Sequence, residues 1–223
     1  MNLTEQEILK IHSLANEYSI HPAKIFAVMQ VEASGAAFFE DNRIKILFER
    51  HKFWKNLIKH GLDPRDYLVG NDDILSEKAG GYVYGMREYD RLERAVMINR
   101  EAALESASWG MFQILGEHYK FMNFESVHDF INSINDTADN VAAFLKLISG
   151  EWNKSGSALP QFSAIDALRR HDATFFYKMP LTGSQVFAWK YNGWNFHAYK
   201  YDEQIDIAIR HFLAHPPRPV TQS

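Results

Sequence analysis

Residues 27–54, AVMQVEASGAAFFEDNRIKILFERHKFW, restrict the fold more than any other part of this 223-residue chain. Pro22 fits a first helical turn, where its missing N–H has no intrahelical partner. Ile25, Phe26, Val28 and Met29 continue as an apolar run, so the pattern predicts a helix that Gly35 ends just past Glu32. Phe38-Phe39 and Ile44 to Phe48 then flank Glu40-Asp41-Asn42-Arg43, whose Asp and Asn tolerate turn geometry, and this reads as a short β-hairpin. Two carboxylates, Glu32 and Glu49, thus bracket a helix end and a hairpin with an aromatic-rich lining between them. At the C-terminal end of a mostly buried helix, the helix dipole and nearby rings both disfavour an anion at Glu32. A carboxyl that keeps its proton near neutral pH can donate it, so the layout is one for acid catalysis.

Val31-Glu32-x-Ser34-Gly35, followed by Arg43-x-x-Ile46-Leu47-Phe48-Glu49-x-His51-x-Phe53, resembles the N-acetylmuramidase domain of many phage endolysins. Ala107-Ser108-Trp109-Gly110-Met111-Phe112-Gln113-Ile114 and Phe187-Ala188-x-x-Tyr191-Asn192-Gly193 match that family in order, and the resemblance spans roughly residues 20 to 210. It implies a lysozyme-like α+β fold, mainly α with a small β-hairpin. It also implies Glu32 as general acid, Glu49 as a second catalytic carboxylate, and Ser34, His51, Trp109, Gln113, Tyr191 and Asn192 as substrate contacts. The chain departs from the family where Ala33 replaces the usual Ser, where Ala37 replaces a second Gly, and where Trp194-Asn195-Phe196 stands in place of Pro-Gly-Tyr. These positions bear on sugar contacts more than on the acid.

No Pro/Gly/Ser-rich linker interrupts the chain, and its 46% hydrophobic residues are ample for a core, so one domain over 1–223 is expected, with an N-terminal helix at 4–18 and a frayed tail at 216–223. The net charge is −4 and the basic residues are scattered, which argues against nucleic-acid binding. There is no cysteine, hence neither a disulfide nor a thiolate metal site. The N-terminus lacks the basic-then-apolar run of a signal peptide, and no apolar stretch reaches membrane-spanning length, so no membrane insertion is expected. A protein made in the bacterial host cytoplasm and acting on the wall in the periplasm would need another export route. A monomer is the expected state.

Thr4-Glu5-Gln6-Glu7 is a capping box ahead of Ile8, Ile11, Leu14 and Ala15 at helical spacing. Helices are further expected at His51–His60, Tyr84–Leu104, Ser126–Ile134, Thr137–Ser149, Ser163–Arg170, Asp172–Met179, Ser184–Tyr191 and Tyr199–His215, with a long surface loop at 63–81. Arg87, Glu88, Arg91, Glu93 and Arg94 read as solvated ion pairs on a surface helix.

Several of these residues have a plainer reading. Trp109 and Phe112 suit a core equally well, Tyr191 suits a core ring with a wet hydroxyl, and Glu49 could simply pair with Arg43, His51 or a backbone N–H. His211 and His215 share a helix face but have no third ligand, so no metal and no cofactor are expected. The expected partner is peptidoglycan glycan, cleaved at the β-1,4 bond between N-acetylmuramic acid and N-acetylglucosamine. Lytic transglycosylation of the same bond, and a catalytically silent glycan- or partner-binding protein on the same scaffold, stand as alternatives. Carboxyl groups about 5 Å apart would suggest retention, and about 6.5–9.5 Å inversion.

Overall fold

A capping box starts the chain's first helix: the Thr4 hydroxyl accepts the Glu7 N–H at 3.2 Å, and the Glu7 carboxylate accepts the Thr4 N–H at 2.9 Å. The computed structural model describes residues 3–32, 37–150, 163–177, 179–192 and 198–218, without the side chains of Phe175, Phe176, Tyr177, Met179 and Asn192. In order, the elements are α1 (Glu5–Glu17), α2 (Pro22–Glu32), β1 (Ile46–Phe48), α3 (Arg50–Lys59), α4 (Arg87–Ile98), α5 (Arg100–Glu105), β2 (Ala107–Trp109) and β3 (Ile114–Leu115). They continue as α6 (Val127–Asn132), α7 (Thr137–Ser149), α8 (Ala164–Arg169), β4 (Thr174–Tyr177), β5 (Met179–Thr182), α9 (Gly183–Asn192) and α10 (Tyr201–Ala214). These elements fall into two compact units, one formed by 1–35 with 136–223 and the other by 36–135.

In the first unit α2 is covered along most of its length, with Ala23, Ile25, Phe26, Ala27, Val28 and Met29 all buried. A helix covered on all sides has no polar stripe, which is why its apolar residues run nearly unbroken. α10 lies against it through Tyr201, Ile205, Ala208 and Ile209, spaced as one helix face, while α1 packs on α2 and α7. The expected helix at Asp172–Met179 is replaced by a strand pair, β4 antiparallel to β5 with Phe175 opposite Leu181. Adjacent bulky aromatics favour extended backbone, and Pro180 disfavours a helical conformation for the residue before it.

The second unit is built on a three-stranded antiparallel sheet in the order β1-β2-β3, with Ile46 opposite Trp109 and Ser108 opposite Leu115. The expected hairpin is reduced to one bridge between Phe38 and Ile44 around a turn in which Asn42 takes φ 65°. Ile46–Phe48 pairs with β2 instead, because a longer partner strand offers more ladder bonds than the short Phe38-Phe39 segment.

The helix expected over Tyr84–Leu104 divides at Asn99, whose extended backbone (φ −156°) ends α4 and whose side chain accepts the Ala102 N–H at 2.9 Å to cap α5. Its charges also need correction. Glu88 and Arg91 are not solvated but buried, 0% and 3% exposed, and paired at 2.6 Å. Glu88 accepts the backbone N–H groups of Phe48, Val83 and Tyr84, and Arg91 donates to the carbonyls of Phe48 and Asp73. Charges three residues apart on a helix look like a surface pair, but here the 73–84 segment lies over them and supplies the missing partners.

Candidate active site

Glu32 is the last residue of α2 and is half-buried. The hydroxyl of Tyr201, at the start of α10, donates to its Oε1. Tyr201 is itself 8% exposed, so this bond is made largely out of water. Tyr191, on α9, is buried between Phe144 and Phe187, stacked on Phe187 at 5.7 Å. Burial pushes its phenol well above the ordinary range, and the nearby charge of Glu32 pushes it further, so Tyr191 stays neutral beside the acid. Sequence reasoning missed Tyr201. The signal was its register with Ile205, Ala208 and Ile209, which puts the ring on the buried face of α10.

In the other unit, Glu49 is the N-cap of α3 but makes no side-chain capping bond. Its backbone is fixed from both sides: the N–H donates to the Ser106 carbonyl at 2.9 Å, and the carbonyl accepts from Lys52 and Phe53. The carboxylate is thereby left for other partners. Ser108 Oγ donates to it at 3.2 Å, and His51 Nε2 lies 3.6 Å away. Arg43, the other partner considered from sequence, pairs with Asp41 at 2.8 Å instead. Tyr82 stands near enough that the Glu49 charge, after burial, raises its phenol above the usual range.

His51 Nδ1 is buried without a partner. Burial, aided by Lys52 and Lys55, outweighs the attraction of Glu49 and holds the ring below the ordinary histidine range. Because the folded-state affinity for a proton is below that of the unfolded chain, the neutral ring contributes stability above about pH 6.5, and that stability is lost as the pH falls through the folded value. His171, whose Nδ1 is likewise buried without a hydrogen-bond partner, is pushed the same way. Thermal melts between pH 8 and pH 5 are therefore expected to show falling stability, with a shallower fall in His51→Gln. An unchanged slope in that variant would contradict this account of His51.

The remaining expected contacts are differently placed. Trp109 is 4% exposed and its indole N–H donates to the Leu104 carbonyl at 3.1 Å, so its one polar atom is used inside the second unit. Gln113 is exposed, in a left-handed conformation (φ 47°), with its amide donating to the Gly110 carbonyl at 2.9 Å. Ser34 lies outside the described residues, as does the side chain of Asn192, which ends α9. His211 and His215 stack on each other at 5.1 Å, and the described residues include no group of three metal-ligating side chains. None of the described helices is long and apolar enough to cross a membrane.

A comparison with curated proteins gives no match. Among solved structures, the endolysin of Burkholderia AP3 phage is similar with a TM-score of 0.77 at 28% identity, the match covering 96% of this chain and 72% of that one. The architecture, mainly helical with a small antiparallel sheet, is that of a lysozyme-like endolysin fold. The N-acetylmuramidase family model matches residues 21–213. A match over so much of the chain settles its kinship: the protein belongs to the N-acetylmuramidase family and is a peptidoglycan-cleaving glycosidase.

Proposed function

We propose that the protein is a phage-type endolysin, acting as a monomer, that hydrolyses the β-1,4 bond between N-acetylmuramic acid and N-acetylglucosamine with Glu32 as general acid. The observation that carries this reading is a half-buried carboxyl at the C-terminal end of an apolar helix, held at one oxygen by the Tyr201 hydroxyl. A protonated carboxyl so positioned can deliver its proton to the glycosidic oxygen. Glu49 is the second carboxylate of the reaction. It stands at the N-terminal, positive end of α3, which suits an anion, as the negative end of α2 suits a proton-bearing acid. Ser108 holds Glu49 in place, and Gln113 supplies an exposed amide for the sugar.

Tyr201 acts through Glu32 and is therefore a positioning residue. A hydroxyl donating to a carboxylate favours the ionised form. Tyr201→Phe removes that donor, so the alkaline limb of the rate profile, where the acid loses its proton, is expected to move to higher pH, with kcat reduced and KM little changed. A profile that stays in place would mean that the hydroxyl does not act on the acid.

Mass spectrometry of the products from purified sacculi tests the reaction itself. Reducing ends are expected. Anhydro-muramoyl ends would replace hydrolysis by lytic transglycosylation on the same site.

A further inference from the structure

We propose that Tyr84, backed by Tyr82, is a stacking position for a pyranose ring of the glycan strand, on the loop tied to the strand that leads into Glu49; this rests on the glycan-cleaving reading above. Tyr84 combines two features that rarely meet in one residue. It is 66% exposed, and its backbone is held at φ 56°, a left-handed conformation that is an outlier for a bulky side chain. Strain of this kind persists only where the surroundings fix it, and it clusters at functional sites.

The surroundings here do fix it. The buried Glu88 carboxylate accepts the Val83 and Tyr84 N–H groups at 2.8 and 2.9 Å. Arg50, directly after Glu49 in the chain, donates to the carbonyls of Asp72 and Lys78. Its guanidinium lies so close to Gly81 (φ 77°) that a Cβ there would fall 2.8 Å from it. Glu88 also accepts the Phe48 N–H, so the loop is tied to the strand that leads into Glu49.

What the loop presents is aromatic. Tyr82 is half-buried beside the Glu49 charge, and the Tyr84 ring stands 5.8 Å from it, centroid to centroid, on the exposed side. A tyrosine offers a sugar an apolar face for its C–H groups and a hydroxyl at the rim for its polar edge. The two rings therefore offer the chemistry that a saccharide polymer needs, on a loop that Glu88 ties to the strand leading into Glu49. Sequence patterning ends the polar loop at 81 and places Tyr84 at the start of a helix; the helix begins only at Arg87, and the left-handed tyrosine before it depends on the buried Glu88.

The test uses the full chain with solubilised glycan strands from purified sacculi, measuring rate against strand concentration for wild type, Tyr84→Gly and Tyr84→Trp. Tyr84→Gly keeps the left-handed backbone without strain. It is expected to melt with the wild type and to raise KM about tenfold, of the size of one aromatic contact, with kcat within about twofold. Tyr84→Trp is expected to restore KM. A Tyr84→Gly variant with wild-type KM, or one whose melting point falls with its activity, overturns the proposal. Inactive wild-type protein would instead overturn the glycan-cleaving reading on which it rests.

Discussion

Glu32→Gln is expected to lower the rate of sacculus cleavage by about 10²–10⁴-fold while the melting temperature stays at the wild-type value. Glutamine has the shape of the acid and still offers Tyr201 an oxygen, so the contact between α2 and α10 survives. What it lacks is a transferable proton. The leaving sugar oxygen must then depart as an alkoxide, and the barrier rises accordingly. Turbidity loss of outer-membrane-stripped cells reads the effect directly, and equal lysis by both proteins would remove Glu32 as the acid. Glu49→Gln separates the two carboxylates. It leaves the proton donor intact, so activity is expected to fall while an alkaline limb, set by the acid, persists in the pH profile.

The second large effect is on stability. Truncating either Glu88 or Arg91 to Ala is expected to cost about 3–5 kcal/mol, or roughly 6–20 °C in melting temperature. The two groups are 0% and 3% exposed, and each would leave the other as an unpaired charge without access to water. Removing Glu88 also strands the N–H groups of Phe48, Val83 and Tyr84, and removing Arg91 strands the carbonyl of Phe48. The double variant should lose less than the sum of the single ones, because neither leaves a lone charge behind. Glu93→Ala, on the same helix but exposed, is expected to change stability by about 0.5 kcal/mol or less. Differential scanning calorimetry of these four proteins separates the buried pair from its solvated neighbours. Equal melting temperatures for Glu88→Ala and Glu93→Ala would contradict the burial of the pair.

The helical part of the fold was legible wherever local pattern decides structure. The capping box at Thr4 and the apolar faces of α1 and α10 follow from capping chemistry and helical period, which need only neighbours in sequence, while Gly35, the expected stop of α2, lies outside the described residues. The errors arose where distant segments decide. Ile46–Phe48 took β2 as its partner, some sixty residues away along the chain, and Glu88 and Arg91 were buried by a loop whose course no local pattern reveals. The division into two units, with the first assembled from both ends of the chain, is likewise a matter of long-range packing.

The site divides along the same line. Glu32 and Glu49 stood out because each lies at a helix boundary in an unusual motif. Their partners did not, since Tyr201 and Ser108 come from α10 and β2 and are joined to them only by the fold. Trp109 shows the limit of motif reasoning: the resemblance marks its position, but the register opposite Ile46 and the bond to Leu104 place its ring in the interior.

The central claim is that Glu32 gives its proton to the leaving sugar oxygen. The most direct measurement compares wild type and Glu32→Gln on two chitooligosaccharide substrates, one with a sugar leaving group and one with 2,4-dinitrophenolate, which departs without protonation. The account predicts that the variant loses most of its activity on the first and stays within about tenfold of wild type on the second. Equal losses on both substrates, or none on either, would contradict it.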